Sequence, residues 1–151
     1  ARTVAVAEQL GAETVLLRTP ATFRPTAANK AALQGFFGGR GGPKVAWWAD
    51  GLWDGMLEET AALAQSAGLL PVVDPLGLDD DEVPPAGPRI YWRVRGGQGL
   101  QGKLSDYDLD RLADMVQGRV SGYVVFGTPE MWGDAGRFAA LLEMLGGAAA
   151  G

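Results

Sequence analysis

The chain lacks both of the residue types that most often serve metal sites and nucleophilic catalysis, because its 151 residues include no cysteine and no histidine. The absence of cysteine excludes disulfides, thiolate nucleophiles, zinc ribbons and iron–sulfur clusters. The absence of histidine removes the commonest general base and prevents the chain from building a Ser-His-Asp triad by itself. A bound metal would have to be a hard, oxygen-ligated ion such as magnesium. We therefore expect no metal site and no cofactor.

Long apolar runs and an excess of positive charge are missing as well. No apolar run reaches the ~18 residues that span a bilayer, and the chain opens with no signal-peptide pattern. We therefore expect a cytoplasmic protein with no membrane partner. The net charge of −5 argues against a nucleic-acid partner, since such binding depends on neutralising phosphates with lysine and arginine. A local basic pocket for a small anionic ligand is compatible with this composition.

Short apolar runs alternate with stretches of helical spacing along the chain. The predicted strands are residues 14–17, 44–48, 69–73, 89–95 and 123–126. The predicted helices are 3–10, one from 27, 55–67, one after Ser105, and a last one that carries Phe138, Leu141, Leu142 and Leu145. Thr26 is a predicted N-cap, and Ser105 with Asp108 has the spacing of a capping box. This alternation predicts right-handed βαβ units, a parallel sheet and a single α/β domain over residues 1–151. Periodicity alone does not decide between an open doubly wound sheet and part of an eight-stranded barrel.

Three segments resemble motifs of a known family. The segment 18–23 reads Arg-Thr-Pro-Ala-Thr-Phe and looks like the Gln-Leu-Pro-Pro-Ser-Phe segment of the YecE-like barrels, also called domain of unknown function 72. The segment 45–48, with Trp53 beyond it, is similar to that family's Val-Glu-Phe-Arg strand and the tryptophan that follows. The segment 91–96 reads Tyr-Trp-Arg-Val-Arg-Gly and resembles the family's Tyr-x-Arg-Leu-His-Gly motif. The resemblance covers residues 11–145 in the family's order.

The resemblance implies a (β/α)8 barrel of which this chain supplies the last five units. We therefore expect an incomplete TIM-barrel-like fold with about five strands and flanking helices, because such barrels take ~250 residues. Open sheet edges would favour a homo-oligomer. The chain also departs from the family: Ala46 and Trp48 stand where the family has Glu and Arg, Arg18 replaces a Gln, and Arg95 replaces a His. A family function that needs the Glu–Arg pair is predicted to be lost here.

The candidate binding residues lie where parallel barrels gather their ligands, at the carboxyl ends of the strands. Strand alternation places Tyr91, Arg93 and Arg95 on one face. Arg18, Arg93 and Arg95 could bind a carboxylate or phosphate through paired N–H donors. Asp74, at the end of the third predicted strand, is the expected partner of an arginine on this face, because a buried charge needs a counter-charge.

Each of these candidates also has a purely structural interpretation. An ion-pair network with Asp50 or Asp74 would occupy the arginines without a ligand, and we favour that interpretation slightly. Trp48 could form an aromatic wall for a ligand, but Trp47, Trp48 and Trp53 together are more typical of core packing. The acidic run 79–82 lacks the spacing of a calcium loop, and the glycine-rich segments 38–42 and 96–99 lack that of a phosphate loop.

Three functions remain open at the level of sequence, and whether the protein is an enzyme is left undecided. The first is an uncharacterised YecE-like protein that binds a small anionic ligand at the carboxyl ends of its strands. The second is a degenerate, non-catalytic member that acts in assembly or partner binding. The third, which has the least support, is a magnesium-assisted hydrolase in which Asp50 and Asp74 hold the metal.

Overall fold

The computed structural model describes residues 2–39, 41–79, 82–85, 87, 89–95, 102–117 and 121–149. The elements in chain order are α1 (Arg2–Gln9), β1 (Thr14–Thr19), α2 (Ala27–Phe37), β2 (Lys44–Ala49), α3 (Leu57–Ser66), β3 (Leu70–Val73), β4 (Arg89–Val94), α4 (Asp106–Val116), β5 (Ser121–Phe126) and α5 (Met131–Ala149). Single 3-10 turns, Gly51–Trp53 and Pro75–Gly77, follow β2 and β3. The predicted α/β class, with five parallel strands and flanking helices, is confirmed.

The chain divides into two compact units, Ala1–Val72 and Val73–Gly151. In the first unit β2 lies between β1 and β3, and both pairings are parallel. The ladder between β1 and β2 is continuous and sets Arg18 directly opposite Trp48. In the second unit β4 and β5 pair in parallel over six residues each. The single domain inferred from the sequence stays a prediction.

The core of the first unit forms between β2 and helices α2 and α3. Trp47 and Ala49 of β2 point into it and pack with Leu33 of α2 and Leu63 of α3. The indole of Trp53 joins them edge to face, with its ring centroid 5.2 Å from that of Trp47. A buried tryptophan contributes much of the hydrophobic stabilisation of a small core, because it removes 150–250 Å² of surface from water. Trp48, the next residue of β2, therefore faces the opposite side of the strand.

The second unit shows the same alternation along β4. Ile90, Trp92 and Val94 are buried, whereas Tyr91 and Arg93 between them are half-buried. Apolar side chains of α4 and α5 are buried in the same unit: Leu109, Leu112, Ala113 and Phe138.

The predicted capping box at the start of α4 is confirmed. The Ser105 hydroxyl accepts from the Asp108 amide at 3.1 Å, and the Asp108 carboxylate accepts from the Ser105 amide at 3.0 Å. These two bonds satisfy amides that the first turn of a helix leaves without partners.

Helices α1 and α3 differ from their predicted bounds by one or two residues at each end. Helix α3 begins at Leu57 instead of Gly55, because the preceding residues form tight turns in which Asp54 donates to the Gly51 carbonyl and Met56 to the Trp53 carbonyl. Helix α5, Met131–Ala149, contains the four apolar residues predicted for it, Phe138, Leu141, Leu142 and Leu145. None of the helices in the described part of the chain has both the length and the hydropathy of a membrane-spanning segment.

Candidate functional site

The carboxyl ends of β1 and β2 bring together one arginine, one tryptophan and one aspartate. Arg18 donates from Nε to Asp50 Oδ2 at 2.7 Å and from Nη2 to Asp50 Oδ1 at 3.4 Å. Its guanidinium carbon lies 4.3 Å from the centre of the Trp48 ring. The hydrogen bond with Asp50, followed by its charge, raises the pKa of Arg18 above the ordinary value. Arg18 is therefore a fully charged donor whose plane is fixed from two sides.

The position of Asp50 depends on a close approach between the loops that follow β1 and β2. The Asp50 amide donates to the Thr19 carbonyl at 3.3 Å. Gly51 has a φ of +78° and packs against Ala21, so that a Cβ on Gly51 would lie 2.8 Å from the Ala21 Cβ. Only glycine fits both the backbone conformation and the space. The glycine thus lets the two loops touch and holds the neighbouring carboxylate beside Arg18.

Trp53 connects the loop that follows β2 to the loop that follows β1. Its indole N–H donates to the Phe23 carbonyl at 2.5 Å, and the two rings stack with centroids 6.3 Å apart. Trp47 adds a hydrogen bond from its indole N–H to the Thr19 hydroxyl at 3.0 Å. Core packing, predicted for Trp47 and Trp53, is what the structure shows for both. These contacts hold together the segments that follow β1 and β2, which carry the Arg18–Asp50 pair at their start.

The arrangement leaves part of Arg18 open to a ligand. Asp50 occupies the edge formed by Nε and Nη2, and the Arg18 side chain is 60% exposed. The end-on edge, formed by Nη1 and the outer N–H of Nη2, carries no hydrogen bond to the described residues. Two N–H groups in one plane can bind both oxygens of a carboxylate or two oxygens of a phosphate.

The second unit contains an equivalent arginine–aspartate pair. Arg95 donates to Asp74 Oδ2 from its amide at 3.3 Å and from Nε at 3.1 Å. The Asp74 side chain is 10% exposed, and its Oδ1 accepts no hydrogen bond from the described residues. A buried acceptor without a partner costs about 1–3 kcal/mol. The expected pairing of Asp74 with an arginine of the fourth predicted strand, 89–95, is thus present, and it falls on Arg95, the residue just after β4.

The two remaining candidates, Arg93 and Tyr91, lie at different heights along β4. The Arg93 Nε lies 3.9 Å from the position that a Cβ on Gly127 would take, just beyond the carboxyl end of β5. Tyr91 is two residues further from that end, and its ring packs against Tyr123 of β5 with centroids 5.8 Å apart. Arg93 is therefore near the loops that a ligand would reach, whereas Tyr91 contributes to packing between the strands.

A buried network at the start of α5 was missed by the sequence analysis. Asp134 is 0% exposed and accepts from the Leu104 amide at 3.1 Å, the Thr128 hydroxyl at 2.6 Å and Arg137 Nη1 at 3.3 Å. Arg137 also donates to the Leu104 carbonyl at 2.8 Å and pairs with Asp106. The Asp-x-x-Arg spacing in the first turn of a helix was the one available signal. This network ties α5 to the loop in front of α4.

Metal chemistry finds little support in the described ranges. No group of three or more acidic side chains there could hold a metal ion. Asp50 and Asp74 belong to different units and each pairs with an arginine. Parts of the acidic run and of the glycine-rich segments lie outside the described residues, namely Arg40, Asp80, Asp81 and the segment 96–99.

Comparison with known proteins gave no match: no family model, no curated protein and no solved structure matches the chain. The resemblance to the YecE-like barrels is therefore still a prediction from the motifs alone.

Proposed function

We propose that the chain is the last five units of a YecE-like barrel and binds a small anionic ligand at the carboxyl ends of its strands, with Arg18 as a principal donor. One observation carries the proposal. The Arg18 guanidinium is hydrogen-bonded to Asp50 and its central carbon lies 4.3 Å from the centre of the Trp48 ring, while the side chain stays 60% exposed. In the second unit, Arg93 and Arg95 are the corresponding donors, and Asp74 orients Arg95.

The small stabilisation that an exposed ion pair provides would not by itself hold Arg18 and Asp50 in one arrangement. Pairs of this kind contribute about 0–1 kcal/mol. Nevertheless, the fit of Gly51 against Ala21 and the hydrogen bond from Trp53 to Phe23 fix the loops that position Asp50. A donor whose rotamer is already fixed loses less conformational entropy when it binds, which favours affinity. The arrangement is what a preorganised anion site requires.

The test is a titration of the 151-residue chain with acetate, followed by the NMR signals of the Arg18 Nε–H and the Trp48 indole N–H. We expect both signals to shift saturably in the millimolar range, because a single arginine site binds a small anion weakly. Arg18→Gln removes the guanidinium and should abolish the shift at Trp48. Arg24→Gln removes an exposed arginine from the same unit and should leave that shift intact.

Equal losses in Arg18→Gln and Arg24→Gln would mean that acetate responds to overall charge and that no site exists at Arg18. Linear shifts without saturation in the unsubstituted protein would contradict the proposal as well. Thermal melts of both variants serve as the control for folding, and we expect little change because both side chains are exposed.

Assembly through a sheet edge is the second candidate function. Strand β5 is poorly covered within its unit: Tyr123 is 41% exposed, and Val124, Val125 and Phe126 are half-buried. Parallel strands are normally covered on both faces. A strand of a second copy paired with β5 would place its own side chains beside these positions, which predicts a self-associating protein. The magnesium-assisted hydrolase has the least support, because arginines already neutralise both of its proposed ligands.

A further inference from the structure

The charge on Arg18 is cancelled at short range by the same residue that orients it. The Asp50 carboxylate lies 2.7 Å from Nε, so a ligand at the end-on edge faces one positive and one negative group. Asp50 is itself mostly shielded, with 21% of its side chain exposed, and water screens it less than a fully exposed charge. The site therefore offers two directed N–H donors but little net positive charge.

Such a site distinguishes ligands by their charge. The attraction between a ligand and the Arg18–Asp50 pair grows in proportion to the charge on the ligand, and it starts from a small value because the pair is nearly neutral. The cost of removing the ligand from water grows as the square of its charge in a Born description. A dianion therefore gains only a little more attraction than a monoanion at this site, but it loses much more hydration free energy. For a monoanion, the two hydrogen bonds from Arg18 supply most of the binding free energy.

We propose that Asp50 is a specificity-determining residue, which makes the Arg18 site selective for monoanionic carboxylates over dianionic phosphate groups. The inference rests on the proposed function, because it assumes that Arg18 binds an anion. Both kinds of ligand can accept from the two N–H groups of one guanidinium edge, so the predicted preference depends on the charge of the ligand.

The test compares acetate with methyl phosphate at constant ionic strength and about pH 8, where a phosphate monoester is a dianion. Affinities are read from the Arg18 Nε–H signal, which is assigned by its loss in Arg18→Gln. We expect acetate to bind more tightly to the unsubstituted protein. In Asp50→Asn the side chain keeps an oxygen that can accept from Arg18 but loses its charge. The ratio of the two affinities should then shift toward methyl phosphate by about tenfold. This is the expected effect of removing the repulsion between the Asp50 charge and the second negative charge of methyl phosphate near a protein surface.

Each outcome decides a different point. If neither anion shifts the Arg18 signal saturably, the proposed function fails together with the inference. If both anions bind and methyl phosphate binds as well as acetate, the proposed function stands and the inference is overturned. A ratio that stays unchanged in Asp50→Asn also overturns it, because another feature then sets the preference. Should Asp50→Asn fail to fold, the preference of the unsubstituted protein decides.

Discussion

Gly51→Ala tests the close approach of the two loops that position the Arg18 site. A Cβ at residue 51 would lie 2.8 Å from the Ala21 Cβ and 2.9 Å from the Ala21 Cα, so backbone has to move. The φ of +78° adds a second penalty, since a non-glycine residue in the left-handed region costs roughly 1–2 kcal/mol. Overpacking costs about 1–3 kcal/mol. We expect a total loss of about 2–5 kcal/mol from the free energy of unfolding.

Two other glycines separate these contributions. Gly68 has a φ of +73° but no atom within 4 Å of a Cβ, so Gly68→Ala should show the backbone penalty alone. Gly55 has open space and no positive φ, so Gly55→Ala should be close to neutral. The expected order of destabilisation is Gly51→Ala, then Gly68→Ala, then Gly55→Ala.

The assay is urea denaturation of the three variants, with the Arg18 Nε–H signal recorded in the native state. Gly51→Ala should also change that signal, because Asp50 moves with the loop, whereas the other two variants should leave it unchanged. If Gly51→Ala and Gly68→Ala lose the same free energy, the Ala21 contact does not constrain the loops. In that event the argument for a preorganised site is wrong.

Two further predictions concern the second unit and the state of association. Asp134→Ala leaves the Leu104 amide, the Thr128 hydroxyl and Arg137 without their shared acceptor and should cost about 3 kcal/mol in urea denaturation, whereas Ser105→Ala removes one helix cap and should cost about 1 kcal/mol. Similar losses in these two variants would show that the Asp134 network stabilises the protein no more than a single helix cap does. Assembly through β5 predicts a melting temperature that falls on dilution, and a melt unchanged over a hundredfold dilution would count against it.

Local patterns in the sequence were sufficient for the elements and for two helix caps, Thr26 and Ser105, both of which are confirmed. The apolar run that precedes Arg18 predicts β1, and the Ser105–Asp108 spacing predicts the start of α4. These predictions succeed because strand burial and helix capping depend on residues within a few positions of one another. The same reasoning fails at the Gly51–Trp53 turn, where the decisive contact is with Ala21, about thirty residues earlier in the chain.

The sequence was sufficient to name the residues of the candidate site but not to say which of them contact each other. Arg18 and Trp48 become neighbours through the register between β1 and β2, and a shift of one residue would place Trp47 opposite Arg18 instead. Asp74 was expected to pair with an arginine of the fourth predicted strand, 89–95, but the alternation could not say whether that would be Arg93 or Arg95. The Asp134 network was missed because aspartate is seldom fully buried in proteins, so an acidic residue in a sequence is normally assigned to the surface. The partners of Asp134 also come from three separate segments of the chain.

The anion site at Arg18 is tested most directly by the acetate titration of the 151-residue chain, observed at the Arg18 Nε–H. We expect a saturable shift in the millimolar range that moves together with the Trp48 indole signal, because the guanidinium carbon lies 4.3 Å from the centre of that ring. A signal at Arg18 that does not respond, or that drifts linearly as it would with any salt, would show that the Arg18–Asp50 pair is a structural ion pair and that no anion site exists there.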